Sequence, residues 1–215
     1  MKYTILNVAQ RSDEWKQARA GRLTASRAAD MLATAKSGEA AARRNLRMQL
    51  VLERGCGKPM ESGYFGKAMQ QGIEREPDAL ALYEALTGEL LTPTGFLRAD
   101  DLIAGASLDG AIMDGSRIRW IVECKSPLPA THWEYLKTGA VPKDYLAQIT
   151  HQLWVSGADG AHWLSYCPDF PEPLQTKMVE VQRLESAIEA YDREARAFLA
   201  EVEREVQAVQ EMAGV

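Results

Sequence analysis

The chain is poor in the residues that build metal and disulfide frameworks. Its 215 residues include three cysteines, Cys56, Cys124 and Cys167. They are far apart, odd in number and never in a CxxC pair, which argues against a disulfide scaffold, a zinc ribbon or a cysteine-held iron–sulfur cluster. The three histidines, His132, His151 and His162, lack metal-ligand spacing and read as structural or surface residues. Neither a P-loop nor a GxGxxG is present, so nucleotide hydrolysis as an energy source is not suggested. No run of about 18 apolar residues occurs, and no membrane span is expected. The opening MKYTILNVAQRSDEW turns polar without a signal-peptide core, so a cytoplasmic location is expected. Repeats, low-complexity tracts and clear linkers are lacking as well, which predicts one α/β domain over residues 1–215.

What is present is a hydrophobic content of 46% and a charge that is unevenly spread. The net charge of −5 argues against a general basic coat. Through Arg75 the chain carries 14 Lys and Arg against 7 Asp and Glu; thereafter it carries 11 against 23. Such a split predicts a positive surface from the N-terminal third and an acidic one elsewhere, as a confined DNA groove would need. A solvated, amphipathic helix face is the alternative for any single arginine.

The most informative stretch is residues 105–127, GASLDGAIMDGSRIRWIVECKSP. Two apolar runs flank Asp114-Gly115, a dipeptide that favours tight hairpins. In a strand, side chains two apart share a face, so Ile121, Glu123 and Lys125 point one way and Val122 and Cys124 the other. Closing the hairpin returns Glu123 and Lys125 to Asp109. Two carboxylates in one small space need a proton or a cation between them. A divalent ion held by Asp109, Glu123 and the Cys124 carbonyl would serve, and Mg²⁺ suits oxygen ligands and retained waters. Lys125 would hold or activate water for metal-assisted phosphodiester hydrolysis. Glu-x-Lys alone is common on solvated strands; Asp109 at the far end of the hairpin is what sharpens it. Cys124 is expected to be a small buried residue behind the strand.

Elsewhere, Ser12 reads as the N-cap of a short helix over residues 12–20 that Gly21 ends. Thr24 or Ser26 is expected to start a second helix through residue 32. Arg19 beside the hydroxyls of Thr24 and Ser26 fits a phosphate site, or Ser26 is only a cap. A helix over 40–54 carries Arg43, Arg44, Arg47 and Arg54, with Leu46, Leu50 and Val51 on its apolar face. A loop over 55–63 and a helix over 64–87 follow, with a kink or new start near Glu76 because of Pro77. Glu76 fits either an acidic first turn before Pro77, which spacing favours, or a completing acid for the metal site. Strands are expected over 90–99, 102–107, 161–167 and 174–182, and helices over 131–137 and 142–155, the latter with Tyr145, Ile149, Leu153 and Trp154 inward and Gln148 one turn before Gln152. Apolar residues from Leu184 to Val209 recur at helical spacing, giving an acidic amphipathic C-terminal helix (residues 183–212) that covers the core or meets a neighbouring subunit.

Asp109…Glu123-Cys124-Lys125 resembles the PD-(D/E)xK nuclease core, with Leu108 where that name has proline. Together with Trp15…Arg19-Ala20-Gly21…Thr24-Ala25-Ser26, Gly72…Glu76…Asp78-Ala79, Ser107-Leu108-Asp109-Gly110, Glu123-Cys124-Lys125-Ser126-Pro127 and Tyr145-Leu146-Ala147-Gln148, the chain resembles the lambda-type (YqaJ-like) viral alkaline exonucleases. The resemblance implies a restriction-endonuclease-like α/β core, a central mixed β-sheet flanked by helices. It implies that Asp109 and Glu123 bind Mg²⁺ (or Mn²⁺), that Lys125 assists the attacking water, that Glu76 bears on a second ion, and that Gln148 lies beside them. Arg19, Ser26 and Ser107 would bind a terminal 5′-phosphate. Such enzymes digest one strand of linear double-stranded DNA from the 5′ end, leave 3′ single strands, form ring-shaped trimers and work with a single-strand annealing protein. That implies a phage or prophage origin and action in a bacterial host cell. The alternatives are an endonuclease or repair nuclease of the same fold, and a non-catalytic DNA-binding module.

Overall fold

A computed structural model describes residues 1–60 and 66–214, with the side chains of residues 67 and 68 excepted. The loop expected over 55–63 and the helix start expected at 64 fall partly on residues 61–65, outside the described residues. The chain begins with β1 (Tyr3–Leu6), α1 (Asp13–Arg19) and β2 (Leu23–Thr24). A 3-10 turn (Ala25–Arg27) leads into α2 (Ala28–Met31), α3 (Ala41–Cys56) and α4 (Lys67–Thr87). Then come β3 (Phe96–Ala99), β4 (Ala104–Ala106), β5 (Gly110–Asp114) and β6 (Arg117–Lys125). Helices α5 (Pro129–Thr138) and α6 (Lys143–Ser156), strands β7 (Gly160–Tyr166) and β8 (Thr176–Gln182), and α7 (Glu185–Ala213) complete it.

The expected mixed β-structure flanked by helices is present, and its ladders divide into two four-stranded sheets, ordered β1-β3-β4-β2 and β5-β6-β7-β8. An isolated bridge between Thr92 and Ala111 links their neighbourhoods. The hairpin forms as its turn dipeptide predicts: Asp114 pairs with Arg117, and Gly115 takes φ +59°. Strands β6 and β7 run parallel, a pairing that needs a long crossover, and α5 and α6 supply it.

Strand β6 is covered on both faces. Ile118 and Ile121 join the main core with residues of α3, α6 and α7. Val122 and Cys124 turn to a second cluster containing Ala79 and Tyr83 of α4. The alternation read from the sequence therefore sorts β6 between two layers, with α6 on the Glu123 side and α4 on the other. Cys124 is buried, as expected.

Three local expectations give way to tertiary context. Thr24 stands at the N-cap position of the 3-10 turn as expected but makes no side-chain cap hydrogen bond: Leu23 and Thr24 pair in parallel with Ala104 and Gly105, and Ser26 lies inside the turn. Helix α4 runs unbroken through Pro77, which is exposed, while Ala79 and Tyr83 beyond it hold the helix against β6. Strand β1, not foreseen, pairs antiparallel with β3. Leu184 and Val209 of the C-terminal periodicity are exposed, whereas Ile188, Tyr191, Phe198, Val202 and Val206 are buried.

The three histidines are structural. His132 bonds Ser165 Oγ and the Leu174 carbonyl, both at 2.8 Å. His151 bonds Tyr191 Oη at 2.7 Å and the Gly105 carbonyl at 3.0 Å. His162 bonds Tyr83 Oη at 2.6 Å and stacks on Trp120.

Candidate active site and phosphate pocket

Gly110 pairs with Val122 across the hairpin, so one further step of that register sets Asp109 beside Glu123 and Cys124. Asp109 Oδ2 accepts the Cys124 backbone N–H at 2.8 Å. Glu123 is 1% exposed. Its Oε1 accepts from Lys125 Nζ and from Gln148 Nε2, the latter at 2.6 Å. Its Oε2 accepts from Gln152 Nε2 at 2.5 Å. Gln148 and Gln152 stand one turn apart on α6, which is why both reach the same strand face. Lys125 also lies over the Tyr145 ring, 5.1 Å from its centroid.

The charges are strongly interdependent. Burial first, then the neighbouring Glu123, pushes Asp109 up to about 8, against the pull of Lys125 and the Cys124 N–H; Glu76 adds a smaller push. Burial would lower Lys125, but Glu123 and Asp109 outweigh it and raise the ammonium above its ordinary range. Lys125 therefore stands as a hydrogen-bond donor, and the partner it meets here is Glu123.

Glu76 is placed differently from the other acids. It sits on α4, the layer opposite the Glu123 side chain, and pairs with Arg11 at 2.6 Å. Among the described residues no three His, Cys, Asp or Glu side chains gather as a metal-binding group. Two carboxylates do meet, and the reluctance of Asp109 to ionise beside Glu123 marks a pair whose repulsion a cation would relieve. The donor set is all oxygen: Asp109, Glu123 and the Cys124 carbonyl, with water filling the rest. That set fits a hard divalent ion such as Mg²⁺.

Arg19, Ser26 and Ser107 come together through a residue to which sequence reasoning gave no role. Trp15 Nε1 donates to Ser107 Oγ at 2.8 Å. The buried Arg19 guanidinium lies over the Trp15 ring, 4.0 Å from its centroid, and its Nη2 is 3.4 Å from Ser26 Oγ. Ser12 caps α1 by accepting the Trp15 N–H at 3.1 Å, which fixes where the indole starts. A cation and two hydroxyls in one place can hold an anion's oxygens.

Arg11 and Gln152 also go unassigned from the sequence. Arg11 takes a left-handed backbone, φ +72°, rare for a non-glycine residue. Gln152 stands one turn after Gln148, and that spacing is the available signal.

Three of the four arginines of α3 are neutralised. Arg43 bonds Glu39 at 2.8 Å and Glu201 at 2.7 Å, Arg47 pairs with Glu39 and Glu205, and Arg54 pairs with Glu203 at 2.6 Å. Of the four arginines along α3, only Arg44 stays exposed without an acidic partner among the described residues.

The fold occurs in known structures. An alkaline exonuclease, LHK-Exo, from Laribacter hongkongensis is 33% identical, with a TM-score of 0.84 over 94% of this chain and 98% of that one. Its structure in complex with dAMP matches with the same identity, score and coverage. A phage-related exonuclease from Haemophilus somnus 129PT shares the fold at 16% identity, with a TM-score of 0.67 over 89% of this chain and 96% of that one. Curated protein sequences give no match. Residues 14–159, which take in every acid, lysine and glutamine of the cluster around Glu123, match the YqaJ-like viral recombinase domain, and the chain belongs to that family.

Proposed function

We propose that residues 1–215 act as one nuclease domain, a divalent-metal-dependent 5′→3′ exonuclease on linear double-stranded DNA. It would start at a 5′-phosphorylated end and leave 3′ single strands for phage-type recombination by strand annealing. The observation that carries this reading is the buried Asp109–Glu123 pair with Lys125 and Gln148 on it. The dAMP bound to LHK-Exo adds support, because a mononucleotide is what stepwise digestion releases.

Asp109, Glu123 and the Cys124 carbonyl would hold Mg²⁺ or Mn²⁺, with Glu76 bearing on a second ion once released from Arg11. Such ions neutralise phosphoryl oxygens and lower the pKa of water. The chain's own groups do the remaining work. Lys125, held protonated, donates to the attacking water or a phosphoryl oxygen. Gln148 keeps Glu123 Oε1 in place. Arg19, Ser26 and Ser107 bind the terminal 5′-phosphate and so define where digestion starts. A homotrimeric ring, a single-strand annealing partner and action in the cytoplasm of a bacterial host complete the proposal.

The test is digestion of 5′-phosphorylated linear duplex with Mg²⁺, beside closed circles and 5′-hydroxyl duplex. Release of mononucleotides from the phosphorylated ends alone is expected. Nicking of circles would replace the reading with an endonuclease, and no digestion would leave a binding module. Lys125→Ala should lower kcat by at least about 100-fold, as loss of one electrostatic donor does, while DNA binding persists. Arg19→Ala should erase the preference for 5′-phosphate.

A further inference from the structure

Gln152 is fully buried, and its amide nitrogen faces two acceptors. One is Glu123 Oε2 at 2.5 Å; the other is the Ser107 carbonyl at 3.2 Å. Ser107 is the residue whose hydroxyl receives the Trp15 N–H, and Trp15 carries Arg19 on its ring. One carboxamide thus joins the carboxylate of the hydrolytic centre to the main chain of the phosphate pocket. A chain of contacts runs Glu123–Gln152–Ser107–Trp15–Arg19–Ser26. Gln152 Oε1 is buried with no hydrogen-bond partner among the described residues. A side chain kept for stability alone would not leave a buried acceptor unmet, since an apolar residue of the same shape avoids that cost.

We propose that Gln152 is a positioning residue that fixes the spacing between Glu123 and the terminal-phosphate pocket, and so fixes the released product at one nucleotide. The proposal rests on the exonuclease reading above and deepens it. Gln148 cannot do this work, because its bond goes to the other oxygen of Glu123, on the Lys125 side. Among the described residues, Gln152 alone holds both ends of the span.

The experiment compares the full chain with Gln152→Met, which keeps length and volume and removes both donors. Folding is checked by circular dichroism. Digestion of phosphorylated and 5′-hydroxyl duplex is followed by steady-state kinetics and by product length on denaturing gels. For Gln152→Met, kcat should fall by about 10–100-fold, as for other groups that orient a metal-binding side chain. KM for DNA ends should change far less, dinucleotides should appear among the products, and the preference for 5′-phosphate should shrink. Product length and phosphate preference identical to the wild type would overturn the proposal. Should Gln152→Met fail to fold or cleave, Trp15→Phe decides the matter: it keeps a ring under Arg19, drops the N–H to Ser107 and lies outside the core. A longer product from Trp15→Phe supports the chain of contacts, and an unchanged one overturns it. Wild-type protein that digests nothing would sink the exonuclease reading itself, a different result from normal digestion with unaltered variants.

Discussion

Asp109 ties the chemistry to the pH response. Its carboxyl moves from 3.8 to about 8 on folding, so the native state binds this proton more tightly than the unfolded chain does. That stabilisation is complete below pH 3.8 and is lost as pH rises towards 8. Buried His151 works in the opposite sense: it falls from 6.5 to about 4, and its contribution disappears only below pH 6.5. Between pH 6.5 and 8 Asp109 is the one of the two still changing. Metal-free protein should therefore lose roughly 2 kcal/mol of stability across that window, near the limiting slope for one proton. Urea denaturation in EDTA at the two pH values measures it, and millimolar Mg²⁺ should restore most of the loss by neutralising the Asp109–Glu123 pair. Asp109, Glu123 and Lys125 were legible because a two-residue period and a turn dipeptide fix a hairpin's register from local sequence. Arg11 and Gln152 were not, since their partners lie 65 and 29 residues away. Nothing in their own neighbourhoods encodes which oxygen they meet.

Helix α7 shows how an element can be read correctly while its partners stay hidden. The apolar spacing of Ile188, Tyr191, Phe198, Val202 and Val206 gave its inner face, all buried as expected. The acidic rows beside that face looked like solvated surface, yet Glu201, Glu203 and Glu205 meet the arginines of α3. The Arg43 guanidinium bonds Glu201 through both of its terminal nitrogens, at 2.7 and 3.0 Å, and rests over the Phe198 ring. Arg43 holds the Glu201 carboxyl below its ordinary value, although burial opposes this. Glu201→Gln should cost about 1–2 kcal/mol, given that the site is partly buried and the partner charge stays. Glu194→Gln, exposed on the same helix, should change stability by less than about 0.5 kcal/mol. Equal effects of the two substitutions on urea midpoints would show the α3–α7 contacts to be inert. The short elements were the hard ones: β1 and β2 take their conformation from pairing with β3 and β4, which no local propensity announces.

Across the molecule, charge separated along the sequence is recombined in space. The N-terminal excess of arginine and the C-terminal excess of glutamate do not form two opposed surfaces; along α3 and α7 they cancel. In the proposed trimeric ring, a DNA track would draw on cations outside this seam, such as Arg44, Arg22 and Arg98, which have no acidic partner among the described residues. Replacing Glu39, Glu201, Glu203 and Glu205 together by Gln would free Arg43, Arg47 and Arg54 while leaving the apolar seam intact. Duplex binding in EDTA should tighten, and its salt slope should steepen by up to about 3, one unit for each uncovered arginine. Filter binding over a salt series checks this, and an unchanged slope would place the α3 arginines out of reach of DNA. In the nuclease proposed above, the α7 carboxylates would then act as a tethered decoy polyanion, occupying the α3 arginines that a duplex's phosphates would otherwise meet and leaving the DNA end as the feature to be recognised.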